Sequence, residues 1–165
     1  MKNLKKIALF LVLLGGVVYL TSIPAKTKVK SYYSGDAINF EQDLIVASTD
    51  SEYLEIFKLE SDGLKRKMYW RPFDSRFNKD DSFYGVKLNI ENGRLYAYVI
   101  SGFTLYKYDI STLNDYTLVK EVKNTYWEWY NKVDKFGDNI VTVSAKGVKV
   151  WSSDLEIIDS YEIKN

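Results

Sequence analysis

The chain has 165 residues with 23 basic and 22 acidic side chains, and it contains neither cysteine nor histidine. The missing residue types exclude thiol nucleophiles, disulfides, thiolate or imidazole metal sites, haem attachment and every Ser-His or Cys-His catalytic pairing. Acid/base chemistry would have to come from Asp, Glu, Lys or Tyr, and the length leaves room for one domain behind a leader.

Residues 1–30 read as that leader. Met1-Lys-Asn-Leu-Lys-Lys6 precedes an apolar run from Ile7 to Leu20, followed by Thr21-Ser-Ile-Pro-Ala25. Lysines ahead of an apolar segment are the charge pattern of an export signal. From Ile7 to Ile23 the stretch has 17 residues, short for a spanning helix and long for the core of a cleaved signal. No Ala-x-Ala follows, and bulky Ile23 lies close before the best cut, after Ala25, so an uncleaved anchor is favoured over a cleaved signal. The anchoring side chains would be Ile7, Leu9, Phe10, Leu11, Leu13, Leu14, Val17, Val18 and Leu20. The run has no polar stripe, which argues against a buried helix of the domain. Short basic N-termini stay in the cytoplasm, which places the remainder outside it; cleavage would make the product secreted instead. Beyond residue 30 there remain 17 basic against 22 acidic residues, a net charge of −5 with no basic cluster, unsuited to nucleic acid.

From residue 31 onward the chain repeats itself. Tyr33, Gly35, Ile38, Asn39, Phe40 and Glu41 match Phe83, Gly85, Leu88, Asn89, Ile90 and Glu91 fifty positions on. Leu88, Leu95, Leu105, Tyr106 and Asp109 then match Val133, Ile140, Val150, Trp151 and Asp154 forty-five positions further. A period of this length filled with β-type runs describes small sheets that bury their faces against one another. In the first copy, strands are predicted near Ala37 to Phe40, Leu44 to Thr49, Tyr53 to Leu59 and Leu64 to Trp70. In the second, Val86 to Ile90 alternates, Asn92-Gly93 turns, and Arg94 to Ile100 is apolar throughout, as in a strand covered on both faces. Phe103 to Tyr108 and Tyr116 to Val122 complete that copy. The third is predicted near Trp129 to Phe136, Asn139 to Ser144, Gly147 to Trp151 and Leu155 to Ile163. Pro24 and Pro72 both fall outside these strands, and no helix is predicted after residue 31.

Gly93-Arg-Leu-Tyr-Ala-Tyr98 followed by Leu105-Tyr-Lys-Tyr-Asp109 resembles a blade of a β-propeller, and Val148-Lys-Val-Trp151 with Asp154 resembles the third strand and exit of a tryptophan-aspartate repeat. The resemblance covers residues 31–165 and extends equally to quinoprotein-like blades. Ser152 follows Trp151 where the tryptophan-aspartate family has Asp, and the Gly-His pair opening that repeat is missing. It implies an all-β domain of three four-stranded antiparallel blades, near 31–72, 81–123 and 126–165, forming a partial or open propeller behind an N-terminal hydrophobic helix.

Propellers close with four to eight blades, so three blades leave two faces of about 400 Å² each in need of cover. The cover would be further blades, a second copy or another protein. Among candidate ligand residues, Tyr126-Trp-Glu-Trp-Tyr130 is the densest aromatic run; read as a strand, it sets Trp127 and Trp129 on one side and Tyr126, Glu128 and Tyr130 on the other. Such residues stack sugars or peptides, or pack between blades. Trp70, Arg71 and Phe73 open the long connection to Ser82, a place where propeller loops bind partners. Asn78 to Ser82 lacks the alternate acids, Gly and closing Glu of a calcium loop and reads as a solvated turn. No metal site, cofactor site, phosphate loop or catalytic residue is predicted. The expectation is a non-enzymatic, membrane-tethered, extracytoplasmic binding module, whole or as part of a larger propeller. The alternative is an exported propeller that binds or cleaves carbohydrate.

Overall fold

Asn92-Gly93 turns the chain as its sequence demands, with φ of 50° and 74°, and brings Glu91 opposite Arg94. The computed structural model in which this is seen describes residues 32–50, 52–71, 73–74, 79–80, 82–125 and 128–163. The leader, with its predicted helix and anchoring side chains Ile7 to Leu20, lies outside the described residues. Among those described, no helix is long and apolar enough to cross a membrane.

Twelve strands form three four-stranded antiparallel sheets, each in chain order. Blade 1 is β1 (Ser34–Phe40), β2 (Asp43–Thr49), β3 (Leu54–Glu60) and β4 (Gly63–Trp70). A hairpin of β5 (Phe73–Asp74) and β6 (Lys79–Asp80) lies in the connection. Blade 2 is β7 (Gly85–Glu91), β8 (Arg94–Ile100), β9 (Thr104–Asp109) and β10 (Thr117–Lys123). Blade 3 is β11 (Tyr130–Phe136), β12 (Asn139–Ser144), β13 (Gly147–Trp151) and β14 (Ile157–Glu162). Every predicted strand is present, with ends displaced by a few residues.

The first hairpins superpose through Phe40–Asp43, Glu91–Arg94 and Phe136–Asn139. Blades 1 and 2 are therefore related by a shift of one residue more than the sequence match suggests. A one-residue shift exchanges the two faces of a strand. Ile38 and Leu88 match in sequence because both are apolar, but they enter the same core from opposite sheets. The slip is hidden because the Glu41-Gln42 turn carries no Asn or Gly, although both residues take positive φ, 51° and 82°.

Strand β8 shows how the sheets stack. Leu95, Ala97 and Val99 enter a core shared with Ile45, Ala47, Ile56 and Trp70 of blade 1. The alternate residues Tyr96, Tyr98 and Ile100 enter a second core with Tyr130, Val133, Ile140 and Trp151 of blade 3. Blade 2 is covered on both faces, which is why β8 is apolar without interruption. Strands β1, β7 and β11 meet at the inner edge.

Each blade thus has a leading face toward the next blade and a trailing face toward the previous one. The register of blade 1 puts Leu44, Val46, Phe57, Leu59 and Leu64 on its trailing face, away from blade 2. That of blade 3 puts Phe136, Val141, Val143, Val148, Val150 and Tyr161 on its leading face, away from blade 2. Leu59, Leu64, Phe136, Val148 and Tyr161 are 46, 53, 80, 36 and 71% exposed. Both terminal sheets therefore present an apolar face to solvent.

Candidate functional site

Among the described residues, several places combine polar or aromatic side chains with an opening, three of them at the rim aromatics, at Trp70 and at Lys107. The first is at the inner edge, where each blade begins with an aromatic residue immediately before its first strand: Tyr33, Tyr84 and Trp129. Tyr33 and Tyr84 lie edge to face at 6.3 Å, Tyr84 and Trp129 at 5.6 Å, and Trp129 meets Phe103 at 4.9 Å. The indole lies over Gly102, where a Cβ would come within 2.8 Å of the ring. Trp129 is nonetheless 41% exposed. Below this row a groove of about 430 Å³ runs between the inner strands, lined by Tyr33, Tyr84, Lys87, Asn131, Lys132 and Asp134 among others. Lys87 reaches Asp134 of blade 3 at 3.3 Å and Asp36 of blade 1 at 3.8 Å, so one ammonium ties three inner strands. The Asp134 carboxyl is held below the usual range, first by the Lys135 backbone N–H and then by Lys132.

The second place is the outer edge between blades 1 and 2. Trp70 is buried, stacked on Tyr116 at 4.2 Å and edge-on to Tyr108 at 5.3 Å. Arg71 is exposed and sits 5.3 Å over the Tyr53 ring. With Tyr106, Tyr108, Tyr116 and Glu121 these two residues line a cleft of about 230 Å³. Phe73 belongs to β5; its side chain is outside the described part.

The third place lies between blades 2 and 3. Lys107 is buried, its Nζ 2.7 Å from Glu91, 2.9 Å from the Ser153 carbonyl oxygen and 3.8 Å from Asp154. The Tyr98 hydroxyl faces Glu91 and, at 2.8 Å, the Ser153 carbonyl oxygen. Burial, and then the Glu91 hydrogen bond, push that hydroxyl up, so it stays protonated. Glu91, Lys107, Ser153 and Asp154 line an opening of about 460 Å³. Glu91 and Asp154 both approach the Lys107 ammonium there, at 2.7 and 3.8 Å, and Asp138 also lines the opening. The arrangement clamps one blade to the next.

The predicted aromatic run is therefore divided. Trp129 is at the inner rim, and Trp127 lies outside the described residues. Tyr130 is 1% exposed within the second core, so it packs and offers no stacking surface. Two features send it inward: the strand starts at Tyr130, and a bulge between Tyr130 and Lys132 breaks the simple alternation. Trp70 and Arg71 belong to a different junction from Trp129, so the predicted residues do not form one site. Tyr84, Tyr108, Tyr116 and Lys107 were not singled out by sequence, because their roles depend on neighbours from another blade.

No family profile and no curated protein matches the chain. Solved structures do match its fold. A chain of an active polycomb repressive complex 2 in the basal state aligns over 77% of this chain and 28% of its own length, at 10% identity and a TM-score of 0.61. A chain of the outer coat vertex of COPII on membranes aligns over 84% and 37%, at 12% identity and 0.62. Another from the COPII coat assembled on membranes aligns over 84% and 20%, at 12% identity and 0.62. This chain thus spans well under half the length of these three structures. With three four-stranded antiparallel blades stacked face to face, it has a β-propeller repeat fold.

Proposed function

We propose that the chain is a non-enzymatic interaction module, tethered to a membrane by its leader and held outside the cytoplasm, whose partner covers the open blade faces. The observation that carries this reading is the pair of uncovered apolar sheet faces on blades 1 and 3. Uncovered apolar surface of this extent marks sites of association. The matched fold occurs in chains of assemblies such as the COPII coat, which is consistent with an interacting role. Tethering rests on Lys2, Lys5 and Lys6 ahead of the apolar run from Ile7 to Leu20. The non-enzymatic part of the reading is supported by Lys107, a buried ammonium that engages Glu91 and Asp154 in the opening between blades 2 and 3.

Cell fractionation with externally added protease tests the tether. The full chain should stay with membranes after alkaline carbonate extraction and be digested only from the extracytoplasmic side. A product in the soluble extracellular fraction with its N-terminus at Lys26 would replace the tethered reading by the secreted one, and protection from external protease would reverse the orientation.

A further inference from the structure

Resting on the interaction-module reading, we propose that the occupant of the open faces is a second copy of this chain, with blade 1 of each copy seated on blade 3 of the other to close a six-bladed ring. The two uncovered faces are of opposite kind. Among the described residues, blade 1 has no neighbour on its trailing side and blade 3 none on its leading side, the two kinds that meet at both junctions inside the chain. A leading face of one copy can therefore repeat, against the trailing face of another, a contact the fold already makes twice.

Outer-strand composition differs between the two faces. The outer strand of blade 1, β4, carries Lys65, Arg66 and Lys67, which pair with Asp62, Glu55 and Glu60 of the same blade, whereas β14 of blade 3 carries Asp159 and Glu162 and no base. Adjacent blades in a propeller set their outer strands side by side. Existing outer edges are joined in this way, since Lys120 of β10 pairs with Glu156 at the start of the outer segment of blade 3. Joining blade 3 to blade 3 would bring the acids of two β14 strands together. Arg66 is on the trailing face opposite Phe57, and Asp159 is on the leading face opposite Val150, so the head-to-tail arrangement sets an acid against the Arg66–Glu55 pair.

Area decides between closed and open forms. A face of four six-residue strands covers about 400 Å². A dimer through a single pair of faces would bury about 800 Å², below the range of specific stable complexes, whereas two junctions bury about 1,600 Å², in the middle of it. Head-to-tail contacts either close or grow into filaments, and two chains of three blades close at six, within the range that propellers adopt.

The test uses the full chain in mild detergent, with light scattering after gel filtration. The wild type should contain two chains per particle at micromolar concentration. Leu64→Glu blocks the trailing face and Val148→Glu the leading face, both at exposed positions, so each variant alone should contain one chain while keeping the wild-type circular dichroism. Mixing the two should leave one-chain particles, because only one junction of about 800 Å² stays intact. A wild type with one chain per particle, or a single variant that still pairs, would each overturn the ring. Should either variant fail to fold, Leu59→Arg and Tyr161→Arg replace them. Photo-crosslinkers at positions 59 and 148 in cells separate the two readings. An adduct of twice the chain mass supports the ring; adducts only with another protein overturn it and leave the interaction module standing; no adduct at either position removes both.

Discussion

Asp109 shows how single side chains secure the end of a strand. Ser111 donates to its Oδ1 from the backbone N–H at 3.0 Å and from the hydroxyl at 2.7 Å, and Arg94 Nε donates to Oδ2 at 2.6 Å. Burial by itself would raise the Asp109 pKa; the Ser111 and Arg94 contacts outweigh it and hold the carboxyl below its ordinary value of 3.8. A carboxylate with a lowered native pKa contributes stability that is complete above its unfolded value and is lost as pH falls through the native one. Asp109→Asn should cost about 1.5 to 3 kcal/mol at neutral pH. It should also flatten the fall in melting temperature below pH 3.8, measured by calorimetry from neutral to acid pH. Asp109 was visible in the sequence as a repeat position, matched to Asp154, but its partners Ser111 and Arg94 were not. Arg94, on β8, reaches it only after β8 and β9 pair, while Ser111 lies in the turn just beyond β9.

Among the elements, β8 and β9 carry the most complete signal and the clearest omission. Unbroken apolarity identified β8 as covered on both sides. The same rule passed over Lys107, a charged residue in the middle of a buried strand, whose partners come from the β7 end and from the loop after β13. Removing one member of such a pair leaves the other buried without compensation. Lys107→Met alone should therefore destabilise the domain by about 3 to 5 kcal/mol. Lys107→Met combined with Glu91→Leu should recover a large part of that loss, measured by urea denaturation as a double-mutant cycle. Full additivity of the two single changes would show that Lys107 and Glu91 do not act as a coupled pair within blade 2. The hairpin of β5 and β6 was missed outright, because two-residue strands have no periodicity to read.

At the scale of the whole molecule, stability should follow the stacking. Blade 2 has a core on each side, whereas blades 1 and 3 each have one. Opening blade 2 requires losing both cores, while an outer strand such as β14, exposed along its length, can open with little loss. Native-state hydrogen exchange should find the amides of β8 the slowest and those of β14 the fastest among the strands. Slower exchange in β14 than in β8 in the isolated monomeric variants would contradict this hierarchy.

By itself the sequence determined the number of four-stranded sheets, the order of their strands and the double burial of β8, because these depend on local alternation, turn residues and a repeated pattern along one chain. Which register relates the first two blades, that Tyr130 points inward, and that Trp129 joins Tyr33 and Tyr84 in one row were decided only by the tertiary structure. The physical reason is the two-residue period of a strand: a bulge or a one-residue shift leaves the pattern of letters nearly intact yet moves each side chain to the opposite face. Only neighbouring sheets select between those faces.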